Sequence, residues 1–146
     1  MSSPSNPALA LFGVVALHLM VAAPSSAALA AGTAEKPYRL ETIEGSPLKR
    51  VVLMPKAAER LDIKTGQISK DASGKLIAPF RALYYDMKGQ AWVYTSPEAL
   101  SFVRQKVTVE RVEGDKVFLL DGPPEGTHVV TVGAAELYGA ESGVGH

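Results

Sequence analysis

Three histidines, a knot of carboxylates and a glycine-rich end are the parts of this 146-residue sequence that could do chemistry. His18, His128 and His146 share no ligand spacing, and a metal site needs its ligands converged at defined geometry. His128 reads instead as a solvated residue at the start of a strand. Glu110, Glu113, Asp115 and Asp121 fall close together, as the two members of a general acid/base pair must. Here they fall on two adjacent strands and the turn between them, where a polar face and turn chemistry account for them. No G-x-S-x-G turn presents a nucleophilic serine. The glycines of "GAESGVG" (139–145) follow a strand and a short turn and open no helix, so they form no phosphate cradle. Cysteine is absent, which removes disulfides, thiolate catalysis, cysteine-ligated zinc and lipidation of an N-terminal cysteine. No nucleophile, base and stabilising group can be named together. The chain therefore reads as a non-enzyme without metal or cofactor.

Aromatic residues offer a different kind of site. Tyr84, Tyr85, Trp92 and Tyr94 lie on the two arms of one expected hairpin, where alternation divides them between faces. Some must be core, and those left outside could form a contact surface, since Trp and Tyr carry a large share of interface energy. Tyr85, Trp92 and Tyr94 are the candidates for partner contact; ordinary packing of two strands is the competing reading. Stacking of single-stranded nucleic acid fits poorly with fifteen basic residues balanced by fifteen acidic ones, which leave no net field to attract a polyanion.

The charges are unevenly placed, and this sets the organisation. Every Asp, Glu, Lys and Arg lies at or after Glu35. Before it, "ALALFGVVALHLMVAA" (8–23) is an apolar run broken only by His18, followed by Pro24 and a small-residue stretch in which Ala28-Leu29-Ala30 offers a cleavage site. This layout, a hydrophobic leader helix with a cut after Ala30, is that of a secretory signal. The run is short of the ~20 apolar residues that span a bilayer. The n-region carries no Lys or Arg, so an uncleaved anchor stays open as the alternative; both readings place the rest in the periplasm or another extracytoplasmic space. The expected organisation is a signal or anchor over 1–30, a linker with one extended piece, "YRLETI", over 31–48, and a folded domain over 49–146.

Within that domain, "KRVVL" is rich in β-branched residues and reads as a strand. "PKAAERL" places Pro55 at a first helical position with good helix formers behind it. "FRALYYD" and "QAWVYT" flank a loop with Gly89 and form a hairpin. "SFVRQKVTVERV" alternates as one half-buried strand with Val103, Val107 and Val109 on one face. The turn at 113–115 leads it into "KVFLLD" as a second hairpin, and "HVVTV" is the last strand. Closely spaced strands with one short helix predict an all-β domain, a small antiparallel barrel or roll.

Taken in order, these segments resemble the C-terminal, membrane-proximal region of periplasmic adaptor subunits, or membrane fusion proteins, of resistance-nodulation-division and heavy-metal efflux pumps. The likeness runs from Lys49 to the end. It is carried by "VVLMPKAAERLDIKTGQI", by "APFRALYYDMKGQAWVYT" and by "FVRQKVTVERVEGDKVFLLDGPPEGTHVVTVGAAELYGAE". The resemblance implies a β-rich domain resting on an inner-membrane efflux transporter or on a full-length adaptor subunit, and acting in transmembrane transport. It also implies that Leu137 and Tyr138, in the closing segment, are tucked against the domain or docked on a partner. The lipoyl-like domain and long helical hairpin of full adaptors have no counterpart here. Asp62 stands where those proteins usually have glycine after the short helix; it tolerates a left-handed conformation better than most residues do. A stand-alone barrel that binds a soluble ligand or envelope component in an interior apolar pocket is the alternative reading.

Overall fold

The computed structural model describes residues 35–143. The leader, its cut after Ala30, His18 and His146 lie outside the described residues. In chain order the elements are β1 (Tyr38–Thr42), β2 (Lys49–Leu53), α1 (Pro55–Arg60), β3 (Lys64–Gln67), β4 (Ser69–Lys70), β5 (Leu76–Pro79), a 3-10 turn (Phe80–Ala82), β6 (Tyr84–Tyr85), β7 (Ala91–Glu98), β8 (Ser101–Lys106), β9 (Thr108–Glu113), β10 (Lys116–Asp121), β11 (His128–Val132) and α2 (Ala134–Ser142). All strand pairings are antiparallel.

The fold is β-dominated, as the strand spacing predicts. A seven-stranded sheet runs β1-β2-β8-β7-β11-β3, with β6 paired to β7, and a four-stranded sheet runs β4-β5-β10-β9. Neither sheet closes on itself, so the architecture is a pair of open sheets and not the expected barrel. Alternation along the central strands gives the large sheet two buried faces. Val93 and Val129 point to the small sheet and pack with Ile68, Ala78, Val117 and Leu119. Tyr94 and Val130, one residue further along, point the other way and pack with Val51, Leu53, Phe102 and Leu137 beneath the helices.

Three sequence expectations change. The extended piece expected in the linker is β1, paired with β2 from Tyr38↔Leu53 to Thr42↔Lys49, and the compact unit begins at Glu35. The strand expected to run unbroken from Ser101 to Val112 switches sheets: β8 belongs to the large sheet and β9 to the small one. The switch occurs at Val107, which is buried in the core between the sheets and donates its N–H to the Ala91 carbonyl at 3.0 Å. A strand that changes sheets in this way makes the corner of a two-sheet packing. Finally, the short helix expected at Pro55 is joined by α2, so "AAELYGAES" closes the domain as a helix and Gly139 lies within it.

α1 starts with Pro55 in its first turn and ends in paired closing bonds, Asp62 N–H to the Glu59 carbonyl and Ile63 N–H to the Ala58 carbonyl. That is the Schellman pattern, which puts the residue after the C-cap in the left-handed region. Asp62 has φ +50, the left-handed conformation this closing pattern needs. α2 is bounded by Gly133 at φ +101 and Gly143 at φ +74, with no side-chain cap and no basic residue in its last turn. Its helical state rests on what it packs against.

Candidate functional site

The helix face of β6, β7 and β8 carries a dense set of polar and aromatic side chains among the described residues. Register puts Tyr84 opposite Trp92 and Tyr94 opposite Arg104, so two tyrosines, the tryptophan and the arginine share this face. α2 lays Leu137, Tyr138 and Glu141 over them, residues three and four apart that fall on one side of a helix.

Glu141 is the hub. Its side chain is 6% exposed and accepts from the Tyr94 hydroxyl at 2.6 Å, from Arg104 Nε at 3.1 Å and from the Lys49 backbone N–H at 3.4 Å. The Arg104 guanidinium lies 4.4 Å from the Trp92 ring centroid and 5.6 Å from that of Tyr138, within cation–π range. Tyr84 stacks on Tyr94 with centroids 5.5 Å apart and meets Tyr138 at the same separation, tilted. The Trp92 indole N–H donates to Asp86 Oδ2 at 3.0 Å.

The electrostatics follow from burial. Burial pushes the Tyr84 hydroxyl up to about 12 from an ordinary value of 10.0, against the opposing pull of the Tyr94 hydroxyl and the Arg104 charge. Tyr84 Oη is buried without a hydrogen-bond partner. Burial also raises Tyr94, and its bond to Glu141 raises it further. For Arg104 burial favours the neutral form, but the Glu141 carboxylate together with Tyr84 and Tyr94 outweighs it and the pKa is raised. Asp86 is held below its ordinary value mainly by the Gln90 backbone N–H, with help from the Trp92 indole. The tyrosines are thus neutral at physiological pH, and the carboxylate is saturated by donors. Chemically the constellation is a clamp that holds α2 to the sheet, not a set of reactive groups.

The five contact candidates therefore separate. Tyr94 and Leu137 are fully buried and cannot meet a partner; alternation along β7 and the docking of α2 put them in the core. Trp92 and Tyr138 are half-buried in the clamp. Tyr85 alone is largely free, at 58% exposed, on a segment that also exposes Phe80 and Met87. Sequence reasoning missed Arg104 and Glu141; the parity of Tyr94 with Arg104 across β7 and β8, and the four-residue spacing of Leu137 and Glu141, were the available signals.

A second concave feature lies beside the clamp. Tyr38, Leu53, Ala57, Leu61, Gly139 and Ala140 line a groove of about 460 Å³ between α1 and α2, with Arg60 and Glu136 also on its wall. It is predominantly apolar, and its small residues let another backbone approach closely. Of the four carboxylates singled out from sequence, Glu110 and Glu113 are surface ion-pair partners: Glu110 is 2.6 Å from Lys75 Nζ and 2.7 Å from Arg111, and Glu113 is 2.6 Å from Arg111 Nε; Asp115 and Asp121 are exposed. His128 is exposed beside Gln67, 3.4 Å away. Among the described residues no three His, Asp or Glu side chains gather as metal ligands, and no helix is long and apolar enough to cross a membrane.

Comparison of the chain with family models, with curated proteins and with solved structures returns no match.

Proposed function

We infer that this chain is an exported, non-catalytic protein that works by contact with a transport complex, in the manner of the membrane-proximal domain of an efflux-pump periplasmic adaptor. The observation that carries the reading is the ordered run of adaptor-like segments from Lys49 onward, whose strands and helices belong to one compact unit. Three further features support it. The side chains best suited to chemistry are consumed by the α2 clamp. Asp62 takes up the left-handed conformation that the resembled segment requires. The exposed Phe80, Tyr85 and Met87 and the groove between the helices supply apolar surface of the kind partners cover.

The partner under this reading is an inner-membrane efflux transporter or a full-length adaptor subunit. Chemical crosslinking in native membranes followed by purification of the chain tests it directly. Recovery of a transport component in stoichiometric yield is expected; abundant chain with no transport component contradicts it.

A second reading, a stand-alone module for a soluble ligand or envelope component, draws on the groove. The space between the sheets is filled by Val93, Val117, Leu119 and Val129, so such a ligand would sit between α1 and α2 and not inside a barrel. Native mass spectrometry of the purified chain would show a retained small molecule in that case.

A further inference from the structure

β1 is the outer strand of the large sheet, and its far side pairs with no strand among the described residues. Open edges of this kind invite pairing with another chain, and proteins usually blunt them. The other edges here are blunted. β9 carries two register shifts against β10 and a salt-bridged charge cluster; β4 has two residues; β3 has four residues and includes a glycine packed against Pro79. β1 has neither bulge nor proline, and its register with β2 is continuous.

The backbone of β1 is also oriented for pairing. Met54 donates its N–H to the Pro37 carbonyl, whereas Leu53 donates to Leu100 on the other side of β2. By the alternation of an antiparallel ladder, Arg39 and Glu41 bond to β2, and the N–H and C=O groups of Tyr38, Leu40 and Thr42 point outward. Leu40 is 37% exposed on the same face as Tyr38, at the end of the apolar row begun by Val51 and Leu53.

We propose that β1 pairs antiparallel with β1 of a second copy of this chain, about a two-fold axis through Leu40, to form a homodimer with one continuous sheet. That register satisfies every outward group of the strand: Leu40 bonds Leu40 of the partner subunit, and Tyr38 bonds Thr42 of the partner subunit. It also sets Arg39 opposite Glu41 of the partner subunit, and Glu41 opposite the partner's Arg39, in the non-hydrogen-bonded positions where side chains stand closest. Arg-Leu-Glu read antiparallel is its own charge complement. Within one copy Glu41 accepts from Arg39 at 3.0 Å and from Arg50 at 3.5 Å; the Arg39 and Glu41 side chains are 60% and 37% exposed, so Arg39 can turn to a facing strand while Glu41 stays held by Arg50.

Sedimentation velocity of the full chain tests the proposal, with doubled mass expected in the micromolar range. R39E and E41R each set like charges opposite each other and should weaken the dimer by roughly tenfold or more, from two cross-strand pairs of up to ~1 kcal/mol each. The double variant R39E/E41R should restore it, and an equimolar mixture of the two single variants should form a heterodimer. L40P removes an outward N–H at the axis but no bond to β2, so it should give a folded monomer whose thermal unfolding, unlike the parent's, does not depend on protein concentration. A parent that stays monomeric overturns the proposal, and so does a doubled mass indifferent to R39E, E41R and L40P.

Discussion

Val93 and Tyr94 are adjacent in β7, and both are fully buried, yet they belong to cores of different kinds. Val93 faces an aliphatic layer contributed by strands of both sheets. Tyr94 faces tyrosines, an arginine and a carboxylate beneath a nine-residue helix. The first layer is held by non-directional burial, in which each side chain contributes by the apolar area it removes from water. The second depends on geometry: Glu141 must sit where Tyr94, Arg104 and the Lys49 amide converge, and α2 has no side-chain cap at its N-terminus to help sustain it alone. The contrast separates a part of the molecule that gives it stability from a part that sets the position of α2, and with it one wall of the groove.

The comparison can be broken most severely on its aliphatic side. Ile68→Ala deletes a side chain that is 1% exposed and should cost about 2–5 kcal/mol. Urea unfolding should remain a single transition of unchanged slope, because this layer joins both sheets.

Gly133→Ala attacks the other face at the entry to α2. Gly133 sits at φ +101, and an added Cβ would fall on Ile63 Cδ1. Backbone strain and overpacking together give an expected loss of roughly 2–4 kcal/mol. Amide exchange should speed up in α2 before it does in β5 or β10; uniform acceleration would show that the two faces are not separable.

Glu141→Gln keeps the shape of the hub but removes its charge, and hydrogen bonds to charged groups contribute more than neutral ones. A loss of about 1–2 kcal/mol is expected, and the Tyr94→Phe variant should remove most of the difference between Glu and Gln. If the two substitutions are additive, the clamp is not a coupled unit.

The smallest effect is a pH dependence. Tyr84 is raised to about 12 and Tyr94 is raised as well, so the folded state holds these protons more tightly than the unfolded chain does. Their contribution is complete below pH 10 and declines as pH rises through 12. Tyrosinate absorbance should show these two ionising only as the chain unfolds. Tyr84→Phe should flatten the alkaline slope and leave stability at pH 7 little changed, because the hydroxyl it removes has no partner.

Much of the aliphatic layer was legible in the sequence because period-two alternation and glycine turns are local signals. The hairpin across Gly89 and the one across Gly114 both form, with each glycine at positive φ. The sheet switch at Val107 was hidden, since alternation continues through it unchanged and only the partner strands differ. The extended run of β1 was read from the sequence, but its place in the sheet was hidden for a similar reason: its alternating Arg39 and Glu41 resemble a solvated linker until β2 lies beside it. The clamp depends on residues from Tyr84 to Glu141 that meet only after α2 docks, and α2 itself carries a weak helical signal, with Gly139 inside it and glycines at both ends. The tyrosines were visible as a group, but which of them face outward depended on strand parity and on the helix above them.

Contact with a partner at the groove and around Tyr85 is the proposed mode of action, and site-specific photo-crosslinking in intact cells tests it most directly. A photoreactive residue at Glu136, exposed on the groove wall, or at Tyr85 or Met87 should capture a membrane transport component, whereas one at Leu120, exposed on β10 of the small sheet, should not. Capture from Leu120 alone, or from none of the four positions, would contradict the account.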